Sequence, residues 1–413
     1  MALIKPFRGL RPTVDLASHV ATLPYDVMNT EEAREMAAGN PHSFLHVSRA
    51  EIDLPVGTDV HAPIVYQKAA ENFQAFIQND TLRQDAKPCL YVYAQTMDGR
   101  RQVGLVACSS VKDYFDDVIK KHEFTRPEKE LDRIAHMEAV KAHVGPIFLT
   151  YAPHDTVRSV IARVILGSPV YDFKAEDNIQ HTVWIIDSAS DIESICMAFQ
   201  KEIPYTYIAD GHHRTASAAK VGKNLQAQNP DHTGQEEYNF FLSVLFPADE
   251  LAIMDYNRVV KDLNGHSKEE FIVAVKSKFV LAPIDAADAK PSLLHDFAMY
   301  LDGQWYRLVA NTSMYADDPI SVLDVTILQN TILSPLLGIA DPRTDKRIDF
   351  VGGIRGLKQL AQRVDSGEMA VAFALYPVSL QQLMDIADSG NVMPPKSTWF
   401  EPKLRDGLLS HLF

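Results

Sequence analysis

Cysteine is scarce in this chain: three residues, Cys89, Cys108 and Cys196, among 413. They lie far apart with no paired spacing, which excludes a disulfide framework or a zinc knuckle and suits a reducing compartment. Positive charge is also in deficit. The 40 Lys and Arg stand against 54 Asp and Glu, for a formal net charge of −14. That balance disfavours a protein that coats nucleic acid, because such binding relies on clustered basic residues releasing counterions. Long apolar runs are missing too. The stretch "FFLSVLF" at 240–246 is far too short to span a bilayer. The opening "MALIKPFRGLRPTVDL" holds no apolar segment of signal-peptide length. The expectation is a cytoplasmic protein with neither a nucleic-acid nor a membrane partner.

What remains has the make-up of folded chains, 46% hydrophobic and 23% charged, with length enough for two or three domains. "VMNTEEAREMAAGNP" at 27–41 predicts a short helix capped by Asn29, with Glu32 completing a capping box. Apolar spacing predicts a second helix over 64–80. Between 89 and 111, two alternating β-rich runs flank Asp98-Gly99, a hairpin signal because both turn residues tolerate positive φ. A helix over 132–145, stopped by Gly145-Pro146, precedes the strands "PIFLTY" and "HTVWIID". From about 266 helices and strands alternate, so a boundary is placed near 265, giving domains 1–265 and 266–413. The tail, rich in Pro, Lys and aromatics, is expected to pack back on the core.

The stretch "YIADGHHRTASAAK", 207–220, does not fit a plain surface loop. It lies between a β-rich run and an alanine-rich helical one, so the chain passes from strand through a tight turn into a helix. Gly211 suits the sharp turn and lets backbone approach a ligand closely. The amides from Gly211 to Arg214 then form the unpaired N–H groups of a helix N-terminus, a ready anion site. His212, His213 and Arg214 add donors, as does the Thr215 hydroxyl, and arginine's planar fork matches phosphate oxygens. Cations are unfavourable at a helix N-terminus unless an anion offsets them, and phosphate binding resolves that conflict. Two other readings stand beside it. Asp210 can cap the helix while the histidines sit half-exposed, or the histidine pair can ligate a transition metal. Against the latter, neighbouring residues rarely reach one ion together and no companion histidine motif lies nearby.

The turn resembles the phosphate-binding turn of the ParB and sulfiredoxin-like superfamily. More closely, nearly the whole chain resembles the domain of unknown function 1015 family, through "PFRGLRP", "LPYDVM", "GNPHSFLHVSRAE", "HEFT", "ADGHHRTASA", "MDYNRVV" and "MPPKSTWFEPKL". Where sulfiredoxin-like enzymes place a nucleophilic cysteine after the glycine, this chain has His212, so thiol-phosphate chemistry is ruled out at this position. The superfamily includes kinases of free serine that keep a Gly-His-His-Arg type of turn. The resemblance therefore implies an α/β or α+β fold with a ParB-like nucleotide-binding core, ATP or ADP with Mg²⁺, and phosphoryl transfer to a small hydroxyl metabolite such as L-serine.

The other candidate residues follow from this reading. Glu123, beside His122, can take the acceptor's hydroxyl proton, although Thr125 with Glu128 also reads as a plain capping box on a solvated segment. Asp210 or Asp26 can position Mg²⁺ or the acceptor, with Tyr25 alongside. Arg8 and Arg11 are ion-pair partners or phosphate ligands. Asn257 and Arg258 are placed at the acceptor, and Lys396 and Ser397 over the nucleotide. His136 and His143, seven apart on one face, read as packing residues. The alternatives are a nucleotide-hydrolysing switch of ParB type and a metal-dependent hydrolase using His212 and His213. A homodimer is compatible with all of them.

Overall fold

The computed structural model describes residues 1–413, which divide into two compact units. The first comprises Met1–Leu251 together with Pro402–Phe413, and the second Ala252–Glu401. The division falls at 251–252 rather than at 265. Its cause is strand pairing: Tyr256–Val260 joins the second unit's sheet, between Ile348–Gly352 and Val371–Ala374. The fold is mixed α and β, as expected.

The first unit is built on a nine-stranded sheet. Its spatial order is Ile119–Lys120, Thr206–Asp210, Ile147–Tyr151, Phe240–Pro247, Arg100–Ser110, Leu90–Met97, Gln180–Ile186 and Tyr171–Lys174, with Ile4–Lys5 also pairing to Arg100–Ser110. Phe240–Pro247 is buried along its whole length, the pattern of a strand covered on both faces. The 89–111 hairpin forms as expected, with Asp98 at φ 50° and Gly99 at φ 80°. Only two pairings are parallel: Thr206–Asp210 with Ile119–Lys120, and Phe240–Pro247 with Ile147–Tyr151.

Local signals set most helix ends. Asn29 accepts from the Glu32 amide while the Glu32 carboxylate accepts from the Asn29 amide, starting Thr30–Ala37. Pro63–Gln78 carries its proline at the first turn, where a missing N–H is harmless. The helix expected over 132–145 instead runs Pro127–Val140, and Lys141 ends it in the left-handed conformation at φ 54° before Gly145 is reached. No capping box forms at its start. Arg126 is the cap residue, and the Thr125 hydroxyl donates to Glu130.

His212–Gln228 buries a face of small residues, Ala216, Ser217, Ala218, Ala219 and Gly222 among them. Close approach explains the glycine. A Cβ on Gly222 would lie 2.4 Å from the Tyr238 carbonyl oxygen. Gly222→Ala should therefore lower stability by about 1–3 kcal/mol through overpacking, against a helix-propensity gain of about 1 kcal/mol. Urea unfolding checks this, and an unchanged midpoint would contradict it.

The second unit holds a six-stranded antiparallel sheet ordered Phe279–Ile284, Gln304–Ala310, Asp296–Leu301, Val371–Ala374, Tyr256–Val260 and Ile348–Gly352. Lys268–Lys276 and Gly356–Asp365 are among its helices. No helix of either unit is long and apolar enough to cross a membrane.

Candidate functional site

The parallel pair at one edge of the first sheet creates the site. Thr206 pairs with Ile119 and Tyr207 with Lys120. Both strands run the same way, so the segments leaving their carboxyl ends, 121–126 and 210–214, emerge side by side. Ligands of α/β proteins collect where strands end in this manner. A helix follows each segment, Pro127–Val140 and His212–Gln228, and the two are tied together by the Ser217 hydroxyl donating to the Glu130 carbonyl at 3.1 Å.

Gly211 makes the turn at φ 94°, a conformation that costs other residues dearly. Space is tight as well, because a Cβ there would lie 3.1 Å from Nε of Arg214, which would have to give way. The helix starts at His212, so both histidines and Arg214 form its first turn rather than the loop before it. No side chain caps this terminus and no acid lies in the first turn. Asp210 is therefore not a cap. It faces Lys403 Nζ at 3.5 Å and Arg214 Nη2 at 3.6 Å. Burial raises its pKa, but the charges of Lys403 and Arg214 outweigh that and bring it down to about 2.

Arg214 is 5% exposed. Its Nη1 donates to the Pro146 carbonyl at 2.7 Å, while its buried Nε has no hydrogen-bond partner. Burial works against the charge, and Asp26, Asp210 and Asp406 more than restore it. The histidines are uncharged by contrast. Burial, with His122 adjacent, drives His212 well below its usual pKa, and burial takes His122 down to about 4. Their rings meet edge to face with centroids 4.4 Å apart. Nε2 of His212 lies 3.5 Å from the His122 amide, and Nδ1 lies 3.7 Å from Oε2 of Glu123. His213 turns away and accepts from the Arg126 amide at 3.0 Å. The two adjacent imidazoles thus face different partners, and no group of three His, Cys, Asp or Glu side chains could hold a metal ion. The histidine-pair metal reading has no donor set.

The fold brings Asp210, Gly211, His212, His213, Arg214, His122 and Glu123 together. Tyr25 and Asp26 join them: Asp26 is among the charges acting on Arg214, and the Arg133 guanidinium lies 3.8 Å from the Tyr25 ring centroid. Thr215 does not serve as a ligand donor, because its hydroxyl bonds back to the Gly211 carbonyl at 2.9 Å. Arg8 is drawn elsewhere, donating to the Asp85 carbonyl at 2.9 Å, and Arg11 forms a fork on the Asp85 carboxylate. His136 packs, its Nε2 2.9 Å from the Val47 carbonyl.

Asn257, Arg258, Lys396 and Ser397 belong to the second unit, where two of the sequence motifs interlock. Arg258 donates from Nη1 to the Tyr256 carbonyl and from Nη2 to the Lys396 carbonyl at 3.0 Å, and burial lowers its pKa to about 10. Asn257 accepts from the Leu375 amide at 3.0 Å and donates to Asp255. Lys396 Nζ sits 5.7 Å from the Tyr256 ring centroid, and the Ser397 hydroxyl donates to the Pro394 carbonyl at 2.6 Å. These side chains are engaged in holding their own unit.

Three charged residues of the first unit were not singled out from the sequence: Lys403 on Asp210, Arg405 donating to His181 at 3.1 Å, and buried Asp406. All lie on the last twelve residues (402–413), which belong to the first unit. Lys403 lies in the "MPPKSTWFEPKL" stretch, and the sequence marked Arg405 and Asp406 only as the end of a charged cluster, "EPKLRD".

Several solved structures are similar to this chain at low identity. A free serine kinase in complex with AMP is 14% identical with a TM-score of 0.35, covering 71% of this chain and 89% of that one. A conserved hypothetical protein from Pyrococcus furiosus is 16% identical with a TM-score of 0.34, covering 72% and 93%. SbnI with C-terminal truncation from Staphylococcus aureus is 11% identical with a TM-score of 0.38, covering 74% and 87%. No curated protein matches. The family model described as protein of unknown function (DUF1015) matches residues 4–326, and the chain belongs to that family.

Proposed function

We propose that the first unit binds the phosphates of a nucleotide at Gly211–Arg214 and transfers a phosphoryl group to the hydroxyl of a small metabolite, L-serine being the first to test. One observation carries the reading. A buried guanidinium keeps an unpartnered Nε at an uncapped helix N-terminus. An orphaned buried donor costs about 1–3 kcal/mol, and a phosphate oxygen would satisfy it while also meeting the helix amides. Neutral His212 and His122 suit that role, since they donate or accept hydrogen bonds without adding charge.

In this scheme Arg214 and the amides of 212–214 hold the transferring group and offset its charge. The acceptor hydroxyl attacks phosphorus, the bond to the nucleotide's leaving phosphate oxygen breaks, and Glu123 takes the hydroxyl proton. Mg²⁺ in such sites is held by the phosphates and one or two carboxylates; Asp210 or Asp26 would hold it here, and no step is routed through it. The test is incubation with L-serine and either ADP or ATP in the presence of Mg²⁺, with phosphoserine read by mass spectrometry. Phosphoserine formation supports the kinase. Nucleotide loss without it turns the reading to a hydrolysing switch, and no binding of either nucleotide removes both.

A further inference from the structure

His122 is 2% exposed, and neither of its ring nitrogens has a hydrogen-bond partner. Its main chain is held in place: Ile119–Lys120 leads into it beside Thr206–Asp210, and its amide lies 3.5 Å from Nε2 of His212. An amide donates, so Nε2 of His212 is bare and that ring carries its proton on Nδ1, 3.7 Å from Oε2 of Glu123. The 121–126 segment thus faces both nitrogens of His212. His122 meets that ring edge to face, with centroids 4.4 Å apart, and has both of its own nitrogens left over. Buried histidines that only pack are different here: Nε2 of His136 lies 2.9 Å from the Val47 carbonyl, and His181 is engaged by Tyr93 and Arg405.

We propose that His122 reads the acceptor: its N–H donates to the transferring phosphoryl group, and its bare nitrogen accepts a hydrogen bond from a second polar group of the acceptor, the ammonium in L-serine. His122 takes this role only within the phosphoryl-transfer reading above, and it narrows the substrate class to hydroxyl compounds that carry a further hydrogen-bond donor.

Burial keeps the imidazole uncharged, with its pKa brought down to about 4, so one nitrogen donates and the other accepts. A phosphate oxygen satisfies the first and leaves the second unmet, which is costly for a buried polar atom. The reacting hydroxyl does not meet it, because that proton goes to Glu123. Another N–H or O–H is therefore needed. The nucleotide's ribose hydroxyls are one source and the acceptor is the other. Position favours the acceptor: Glu123, which takes the hydroxyl proton, is the next residue, and both side chains meet His212. The same segment gives access, since the Glu123 side chain is 47% exposed and Phe124 is 73% exposed, and these two shift to admit the acceptor. No proton is lost or gained by His122 in the step.

The test compares kcat/KM for L-serine and for 3-hydroxypropionate, which has the same hydroxyl and carboxylate without the ammonium, using the full chain with Mg²⁺ and ADP or ATP. Wild type should favour L-serine by about tenfold or more, the worth of one charged hydrogen bond to a buried partner. His122→Leu should narrow that preference to about threefold or less, chiefly by raising the KM for L-serine. His122→Gln, which keeps one donor and one acceptor, should retain most of it. A preference as large in His122→Leu as in wild type overturns the proposal and leaves the kinase reading intact; a loss of nucleotide affinity alone in that variant assigns the bare nitrogen to the ribose. Equal use of both compounds by wild type overturns it too. No phosphorylated product from either compound removes the phosphoryl-transfer reading and this proposal together. Should His122→Leu fail to fold, the ring-nitrogen NMR signals of His122 in wild type decide. With nucleotide present, L-serine should move the bare-nitrogen signal and 3-hydroxypropionate should leave it, and an equal response to both sinks the proposal.

Discussion

Arg214→Ala should abolish most of the thermal stabilisation that a nucleotide gives. A ligand at a hundred times its dissociation constant adds about 2.7 kcal/mol to wild type. Truncating a buried charged partner costs about 2–5 kcal/mol of binding, and a hundredfold loss of affinity would leave about 0.4 kcal/mol at the same ligand concentration. The loss combines two effects, since the variant removes the fork and leaves Asp26, Asp210 and Asp406 without their shared cation. That second effect lowers the stability of the ligand-free protein, so each variant is scored against its own melting temperature without nucleotide. Arg214→Lys separates the effects. It keeps the charge among the carboxylates but loses the planar donor array, so stability should recover more than the nucleotide shift does. If Arg214→Ala keeps the wild-type shift, the guanidinium does not touch phosphate.

How far the sequence foretold this site depends on the range of each interaction. Gly211 could be read locally, because a β-rich run ending on a glycine before an alanine-rich run permits little else. The capping box of Asn29 and Glu32 and the Asp98-Gly99 hairpin are equally local. The chain enters this helix at His212 for a tertiary reason. A cation-bearing first turn is disfavoured on its own, and here Asp210, Asp26 and Asp406 supply the offset. Two of these three lie far away in sequence.

The same holds for the companion segment. His122 and Glu123 reach His212 because Ile119–Lys120 pairs in parallel with Thr206–Asp210, a register no pattern of residues announced. The closing segment 402–413 is the longest-range case, returning to the first unit after 150 residues of the second. Charge sign alone misled at Arg8 and Arg258, whose donors are engaged by backbone carbonyls. Phosphate binding needs arginine donors left over after the fold is satisfied, and a sequence does not show which are left.

Glu123→Gln should lower turnover by about 10²–10⁴-fold, the range expected when a positioned general base is lost, while nucleotide affinity stays within a few-fold of wild type. The argument is geometric. Glu123 leaves the same sheet edge as the Gly211 turn, and its Oε2 lies 3.7 Å from Nδ1 of a buried, neutral His212. The side chain is 47% exposed, so an acceptor hydroxyl can come within reach of the carboxylate. His212 cannot replace it, because burial and the neighbouring imidazole disfavour the proton a base must accept. Glutamine preserves shape and hydrogen-bonding capacity but cannot take a proton, which separates chemistry from binding. A reduced kcat with an unchanged thermal shift by nucleotide identifies the base. A variant that loses binding and turnover in parallel would instead place Glu123 among the groups that hold the ligand, and one with full turnover would move the base elsewhere in the cleft. His122→Ala probes binding instead: its buried ring nitrogens have no hydrogen-bond partner and its ring meets His212 edge to face, so nucleotide affinity and stability should fall with a smaller effect on kcat.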